Sequence, residues 1–480
     1  MFGEAAVNPS CFVLRKLIWI VSLTLLASMT FARDPDAPDS NSDAFDDCLQ
    51  ACKSGTPNLA TLTPGRLLAL SDPLAIDSSF FGMTIGTDVL KYPSVPIGAV
   101  GHPTLLAWGA IEAKKGTYNF NLYDKMACWA SVNEVPFMVT FAWTPRWAIH
   151  LAPAPGCEQG FCTLPPDNMQ DWTNFVTNVV QHYNGTSCPS VQYYELWNEF
   201  NDQFFWTGKM KDMVNMAEIA SKIIRPKSML LTPSVTGEYK KAAGWMTYYL
   251  KHGGKEFADG GTFHGYIAKN DGDYANGYPF PEDDKTKGGY GKVVDGVNTF
   301  RSVFDTYLRQ DAPMFDTEGS WQVDTHITDM SLKVAWLARW YLLQAGTGKV
   351  KAAYWFAWGQ SNPEKGDDQQ WGGIADDNGV ANDAGKAYGQ VYNWLVGATM
   401  SPCSADSKNV WTCNMTRPNG YQGQAVWLYS TNEDQSVPYL PDTKYTQYRD
   451  LGEGPPTQIQ KGDSVLIGPQ PILLETGDPQ

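Results

Sequence analysis

The chain has 480 residues, of which 43% are hydrophobic, and a net charge of −15. That length accommodates one barrel-sized domain of about 250 residues plus a smaller module. The acidic balance and the lack of a long basic run exclude nucleic acid as a partner, because phosphate neutralisation needs clustered Lys and Arg; 18 Trp and 23 Tyr supply rings for a core or for stacking on flat ligands such as sugars.

Residues 1–32 come first. Arg15 and Lys16 precede an uncharged run, 17–31, whose length of about 15 residues is short for a bilayer span and suits an export signal. Thr30 and Ala32 offer a small-residue cleavage site before Arg33. The segment is expected to be a signal peptide or, if retained, a membrane anchor. The protein would then be secreted, periplasmic or held at the cell surface. Residues 33–57 read as a polar, proline-bearing linker, and 58–79 as an N-terminal segment joining a C-terminal module. Nine cysteines suit an oxidising compartment. Cys157 with Cys162, and Cys403 with Cys413, flank short loops and form candidate disulfides, with Cys48 and Cys52 as a third pair; Cys128 and Cys188 have no obvious mate. No CxxC or HExxH spacing points to zinc.

From residue 80 to 398, short β-branched and aromatic runs alternate with amphipathic stretches. Strands are predicted at 80–85, 105–111, 136–141, 191–197, 229–233, 262–266, 313–317 and 352–358. Helices are predicted at 122–132, 172–183, 213–224, 297–309, 332–344 and 384–396. Eight strands separated by helices imply parallel βαβ units, and that number favours closure into a (β/α)8 barrel over an open sheet. After about residue 400 the helical period disappears. Alternating runs at 425–429, 464–467 and 471–475 predict a small antiparallel β-sandwich-like module over 399–480.

Two of the predicted strands end in glutamate. One reads Tyr193-Tyr194-Glu195-Leu196-Trp197-Asn198-Glu199; the other reads Pro313-Met314-Phe315-Asp316-Thr317-Glu318-Gly319. On a parallel barrel the C-terminal strand ends build the site, so both carboxylates would face one pocket. Cleaving a glycosidic bond needs a proton for the leaving oxygen and a negative group for the developing oxocarbenium ion. A pair about 5 Å apart lets one carboxylate attack the anomeric carbon directly. The acid then needs a raised pKa while the nucleophile stays ionised.

Asn198-Glu199 after an aromatic strand, with Glu318 three strands later, resembles clan A of the glycoside hydrolases, and within it family 39 and its bacterial relatives. Trp108, Glu112, Gly116, Tyr118, Phe120 and the run Thr144-Pro145-Arg146-Trp147 match the pattern of that family over its second and third strands. The resemblance spans roughly residues 80 to 396. It implies a retaining glycosidase with Glu199 as acid/base and Glu318 as nucleophile, Asn198 on the sugar 2-hydroxyl, and His264 and Tyr266 beside the nucleophile. Phe200 departs from the family's Pro after Asn-Glu, which weakens any transfer of substrate specificity.

Trp143, Trp321, Trp355 and Trp358, with Trp147, Trp206 and Trp371, fall near predicted strand ends. The first four are expected to line the cleft, with Trp355 or Trp358 as a stacking platform. The Gly-rich run 271–290 suits either a solvated loop or a cleft wall. Asp367-Asp368 and Asp376-Asp377 lack calcium-loop spacing. No metal or cofactor is implied, and the expected partner is a carbohydrate: a β-xyloside, a uronic-acid glycoside or a microbial exopolysaccharide. A non-catalytic carbohydrate-binding barrel and an envelope scaffold are the rival readings.

Overall fold

The computed structural model describes residues 42–55, 75–86, 89–101, 106–150, 156–158, 161–268, 279–282, 289–321, 327, 329–359, 372–376, 378–430 and 432–477. Residues 1–32, expected to be an export segment, and Trp371 lie outside them. Among the described residues, no helix is long and apolar enough to cross a membrane.

The parallel strands are β1 (Phe81–Ile85), β2 (Ala99–Gly101), β3 (Met138–Ala142), β4 (Tyr193–Glu195), β5 (Met229–Leu231), β6 (Gly261–His264), β7 (Met314–Gly319) and β8 (Ala352–Trp358). They form a sheet of order β6-β7-β8-β1-β2 and a second that runs from a two-residue strand, Leu106–Ala107, through β3 and β4 to β5. Single parallel bridges, Val100 to Phe137 and Leu231 to Gly260, join the two sheets at both seams.

The helices are α1 (Ser42–Ser54), α2 (Asn121–Val132), α3 (Met169–His182), α4 (Met210–Ile224), α5 (Tyr239–Lys251), α6 (Val293–Tyr307), α7 (Met330–Gly346) and α8 (Asp383–Leu395). Caps account for several starts: Asn168, Asp329 and Asn382 each accept a backbone N–H from the first turn of α3, α7 and α8. From Leu332 onward every residue of α7 is buried, because the helix is covered by β7 and β8 on one side and by the C-terminal module on another.

Several sequence expectations are corrected. The stretch 105–111 is a two-residue strand followed by a short helix, Trp108–Ile111, and β2 lies earlier than predicted. A brief apolar run carries too few turns for its period to tell strand from helix. Helix α5 has no counterpart among the predicted elements: its buried stripe (Tyr239, Ala242, Ala243, Met246, Tyr249, Leu250) is helical, but exposed Trp245 and Tyr248 blur the pattern. The second half of the expected linker is α1. Two disulfides, Cys48–Cys128 and Cys52–Cys188, bind it to α2 and to the loop before β4. Cys48 and Cys52 therefore do not pair with each other; on a helix their side chains lie side by side and point together at a neighbour. Cys157–Cys162 and Cys403–Cys413 are bridged as expected.

In the C-terminal module, strands β9 (Val410–Thr416), β10 (Gln422–Leu428), β11 (Gln447–Arg449) and β12 (Ile472–Glu475) pair antiparallel in the order β9-β10-β12-β11. Of 58–79, residues 58–74 lie outside the described residues; Ile76 exchanges backbone bonds of 2.9 Å with Gly397 and Ala398, just beyond α8. The module is fastened to the parallel sheets by a buried knot. Arg339 of α7 donates to Pro469 O at 2.9 Å and lies 3.7 Å from Glu282, which also accepts Trp427 Nε1 at 2.7 Å. Of the Gly-rich run, residues 279–282 are buried and 289–290 half-buried, and the rest lies outside the described residues.

Candidate active site

The floor beneath the strand ends is made of small polar side chains. Thr140 of β3 and Thr317 of β7 each donate to Glu195 of β4 at 2.8 Å, all three buried. Lower down, Tyr354 of β8 fills the interior because Gly82 and Gly101 leave it room; a Cβ at either position would come within 2.5 Å of its ring. Above this layer the strands end and the functional groups begin.

Glu199 stands one turn beyond β4, and its segment hangs from both neighbouring strands. Asn198 N donates to Phe141 O at 3.1 Å, Glu199 N to Ser234 Oγ at 3.0 Å, and Phe200 N to Ser234 O at 3.1 Å. Glu199 itself has φ +37°, a left-handed conformation that costs a side-chain-bearing residue of order 1 kcal/mol or more. The surrounding bonds hold it there and aim its carboxylate inward.

Glu318 ends β7, where it is the register partner of His264 on β6. His264 Nδ1 is hydrogen-bonded to Glu199 Oε1 at 2.8 Å and lies 3.3 Å from Glu318 Oε2, within ion-pair distance. Tyr266 donates its hydroxyl to Glu318 Oε1 at 2.7 Å. The intervening Gly265 is required by close approach: its N–H donates to Asp316 Oδ1 at 2.7 Å, and a Cβ there would lie 1.9 Å from Asp316 Oδ2. A carboxylate oxygen from each glutamate and the His264 nitrogen all fall within 4.8 Å of one another. Among the described residues these three are also a group whose donor atoms could hold a metal ion.

Charge and burial set the titration. Burial pushes Glu318 up to about 7; the His264 cation pulls it down, Glu199 pushes it up again, and the Tyr266 hydroxyl favours the anion. For His264, burial works against the proton, but Glu318, and then the hydrogen bond and charge of Glu199, hold its pKa up to about 9. The raised carboxyl pKa was expected of the acid; it lies on Glu318. Groups this close take up protons as a unit.

The structure thus brings Glu199, Glu318, His264 and Tyr266 into one constellation, with Asn198 beside them. Asn198 Oδ1, His264 Nε2 and Trp358 Nε1 are buried with no protein partner among the described residues. Trp143, with φ +50°, packs its ring on Phe205 in a cluster between the loops after β3 and β4. Trp355 and Trp321 do not face the site. Trp355 points outward against Trp340 and Trp336 of α7, donates to Gly372 O at 2.8 Å and is fully buried. Trp321 packs on the same rings. Trp355 is therefore no stacking platform: alternation along β8 turns it to the helix layer. Glu195 and Asp316 carry supporting roles that the sequence reading passed over; the signal for both was an acid inside a predicted buried strand, a position that is costly unless fully hydrogen-bonded.

Two parallel sheets joined edge to edge carry the paired acids at the C-terminal ends of their strands. Solved structures with this fold include a family 39 glycoside hydrolase from the gut symbiont Bacteroides cellulosilyticus WH2, at TM-score 0.60 and 17% identity over 83% of this chain and 82% of that one. A family 39 β-xylosidase from Caulobacter crescentus aligns at TM-score 0.59 and 16% identity, covering 85% and 98% of the two chains. The family 39 enzyme from Xanthomonas axonopodis pv. citri aligns at 0.58 and 15%, covering 85% and 96%. The chain has the fold of these family 39 glycosidases. No family model matches the sequence, and no curated protein does.

Proposed function

We propose that the protein is a retaining glycoside hydrolase and that its eight parallel strands form a closed (β/α)8 barrel. The observation that carries this reading is the spacing of the Glu199 and Glu318 carboxylates, with oxygens inside 4.8 Å. Retaining enzymes keep their carboxyl groups about 5–5.5 Å apart, whereas inverting ones leave about 6.5–9.5 Å for a water.

The roles follow from surroundings. Glu318 accepts a hydrogen bond from Tyr266 and stands beside the His264 cation, and both favour its anion. It attacks the anomeric carbon as Glu199 gives its proton to the departing oxygen, forming an ester with Glu318. Glu199 is the more open of the two, with 12% side-chain exposure against 7%. It then takes a proton from the water that attacks the ester and releases the sugar with its configuration retained. Asn198 and Trp358 direct their unpartnered polar atoms at the sugar.

β-Xylosides are the first substrates to test, because the Caulobacter crescentus neighbour is a β-xylosidase. Export to an oxidising compartment belongs to the same reading, supported by the four disulfides among the described residues. The test is a 2-deoxy-2-fluoroglycoside panel followed by peptide mass mapping. A covalent adduct on Glu318, and azide rescue of Glu199→Ala as a glycosyl azide, are expected. A protein that binds sugars but turns over none and carries no adduct would be a non-catalytic binding barrel.

A further inference from the structure

Strand β7 does not keep the alternation of an ordinary strand. Asp316 faces α7, where its Oδ2 accepts Gln344 Nε2 at 2.9 Å. Thr317 faces the interior and donates to Glu195 at 2.8 Å. Strict alternation would turn Glu318 back toward α7, yet its carboxylate meets Tyr266 and His264 in the cleft. Gly319 is the residue that faces α7 again: a Cβ there would lie 2.4 Å from the Trp340 ring. Two successive side chains thus point inward. Toward β6 the pairing passes from Asp316 with Phe263 directly to Glu318 with His264. Toward β8 it passes from Asp316 with Ala353 to Gly319 with Trp355. Both shifts are those of a β-bulge, one extra residue that re-aims the side chains beside it.

A bulge disrupts the ladder locally, and here the side chain of Asp316 bridges the disruption. Gly265, just beyond β6, donates its N–H to Asp316 Oδ1 at 2.7 Å and to Glu318 O at 2.9 Å. Its carbonyl accepts Trp340 Nε1 at 3.3 Å and the Tyr239 hydroxyl at 3.5 Å. The backbone between His264 and Tyr266 is therefore held on both sides, and these are the two residues that contact Glu318 from across the cleft. Asp316 is fully buried. Burial raises its pKa to about 8, but ionised or protonated it keeps an oxygen for the Gly265 N–H.

We propose that Asp316 is a positioning residue: its carboxyl group ties the Gly265 N–H to β7 and so holds the bulge that turns Glu318 into the cleft. One clasp then fixes both sides of the nucleophile, its own strand and the His264-Gly265-Tyr266 segment opposite. Gln344 completes the clasp by tying the second Asp316 oxygen to α7. Asp316 faces away from the cleft, so it acts through Gly265 and not on the sugar. The consequence for turnover rests on the glycosidase reading; the geometry of the clasp does not.

The test compares Asp316→Leu, which removes the acceptor at similar size, with Asp316→Asn, which keeps an acceptor oxygen. In the Asn variant the new NH2 group faces Gln344, whose Oε1 has no hydrogen-bond partner among the described residues and can accept it once the amide turns over. The Leu variant should lose about 100-fold in kcat with little change in KM, because displacing a reacting group by about 1 Å costs that much while the sugar contacts remain. The Asn variant should keep kcat close to that of the unaltered protein. Equal losses in the two variants would show that the charge matters and not the clasp, and would overturn the proposal. A change confined to KM, or no change, overturns it as well. A crystal structure of the Leu variant gives a readout without turnover: the 2.7 Å bond from Tyr266 to Glu318 should be broken, and its survival beside an unaltered bulge refutes the inference. Should the Leu variant not fold, Gln344→Leu unties the other oxygen from α7 and should lower kcat in the same sense; an unchanged kcat there also overturns it. The glycosidase reading is judged separately, by the Glu318 adduct in the unaltered protein.

Discussion

Tyr266→Phe is the sharpest probe of how the site works. The change deletes one oxygen and leaves the ring, which is buried at 2% exposure, to fill its place. What is lost is the 2.7 Å bond from the phenol to Glu318 Oε1. Hydrogen bonds to charged groups contribute about 1.5–3 kcal/mol, and 1.36 kcal/mol corresponds to one pKa unit. The hydroxyl donates to the anion, so its loss favours the protonated acid and raises the Glu318 pKa by about one to two units. From a starting value of about 7, the acid limb of kcat/KM moves up by the same amount. The active window narrows from below, and the rate at neutral pH falls about 5- to 50-fold as the ionised fraction of Glu318 drops. The assay is the pH dependence of kcat/KM on an activated aryl glycoside, with circular dichroism to confirm folding. An acid limb that stays in place, or moves down, would refute the claim that Tyr266 stabilises the Glu318 anion.

Two predictions concern stability. Replacing Cys48 and Cys128 with Ser opens a link across 80 residues and should cost about 4 kcal/mol, against about 2 for the Cys157–Cys162 link across 5. Scanning calorimetry should show the larger drop in Tm for the first; equal drops would show that α1 is not held by its disulfide. Arg339→Met removes the cation from the knot between α7 and the C-terminal module and leaves Glu282 buried without it. Breaking a buried pair in this way costs about 3–5 kcal/mol, read by denaturant titration; a loss under about 1 kcal/mol would show that the knot does not hold the module.

How much of this was legible in the chain itself depends on whether the signal is local. The alternation of strand and helix was legible, because burying one face of each element imposes its period on the residues. So were the two strand-terminal glutamates, since Asn198-Glu199 and Thr317-Glu318 each interrupt an apolar run abruptly. The pairing of Cys157 with Cys162 and of Cys403 with Cys413 needed only a short loop. Tertiary structure decided the rest. Whether Trp355 faces sugar or helix turns on one step of alternation along β8, and the sequence pattern is apolar on both faces there. The mates of Cys48 and Cys52 lie 80 and 136 residues away, on elements that meet α1 only once the chain is folded. The raised pKa of Glu318 was equally out of reach, because it is set by burial and by His264, Glu199 and Tyr266 converging from the ends of two other strands. Local sequence specifies what each segment can become; the fields and contacts that tune a carboxylate come from groups distant in the chain, and exist only when the chain has closed around them.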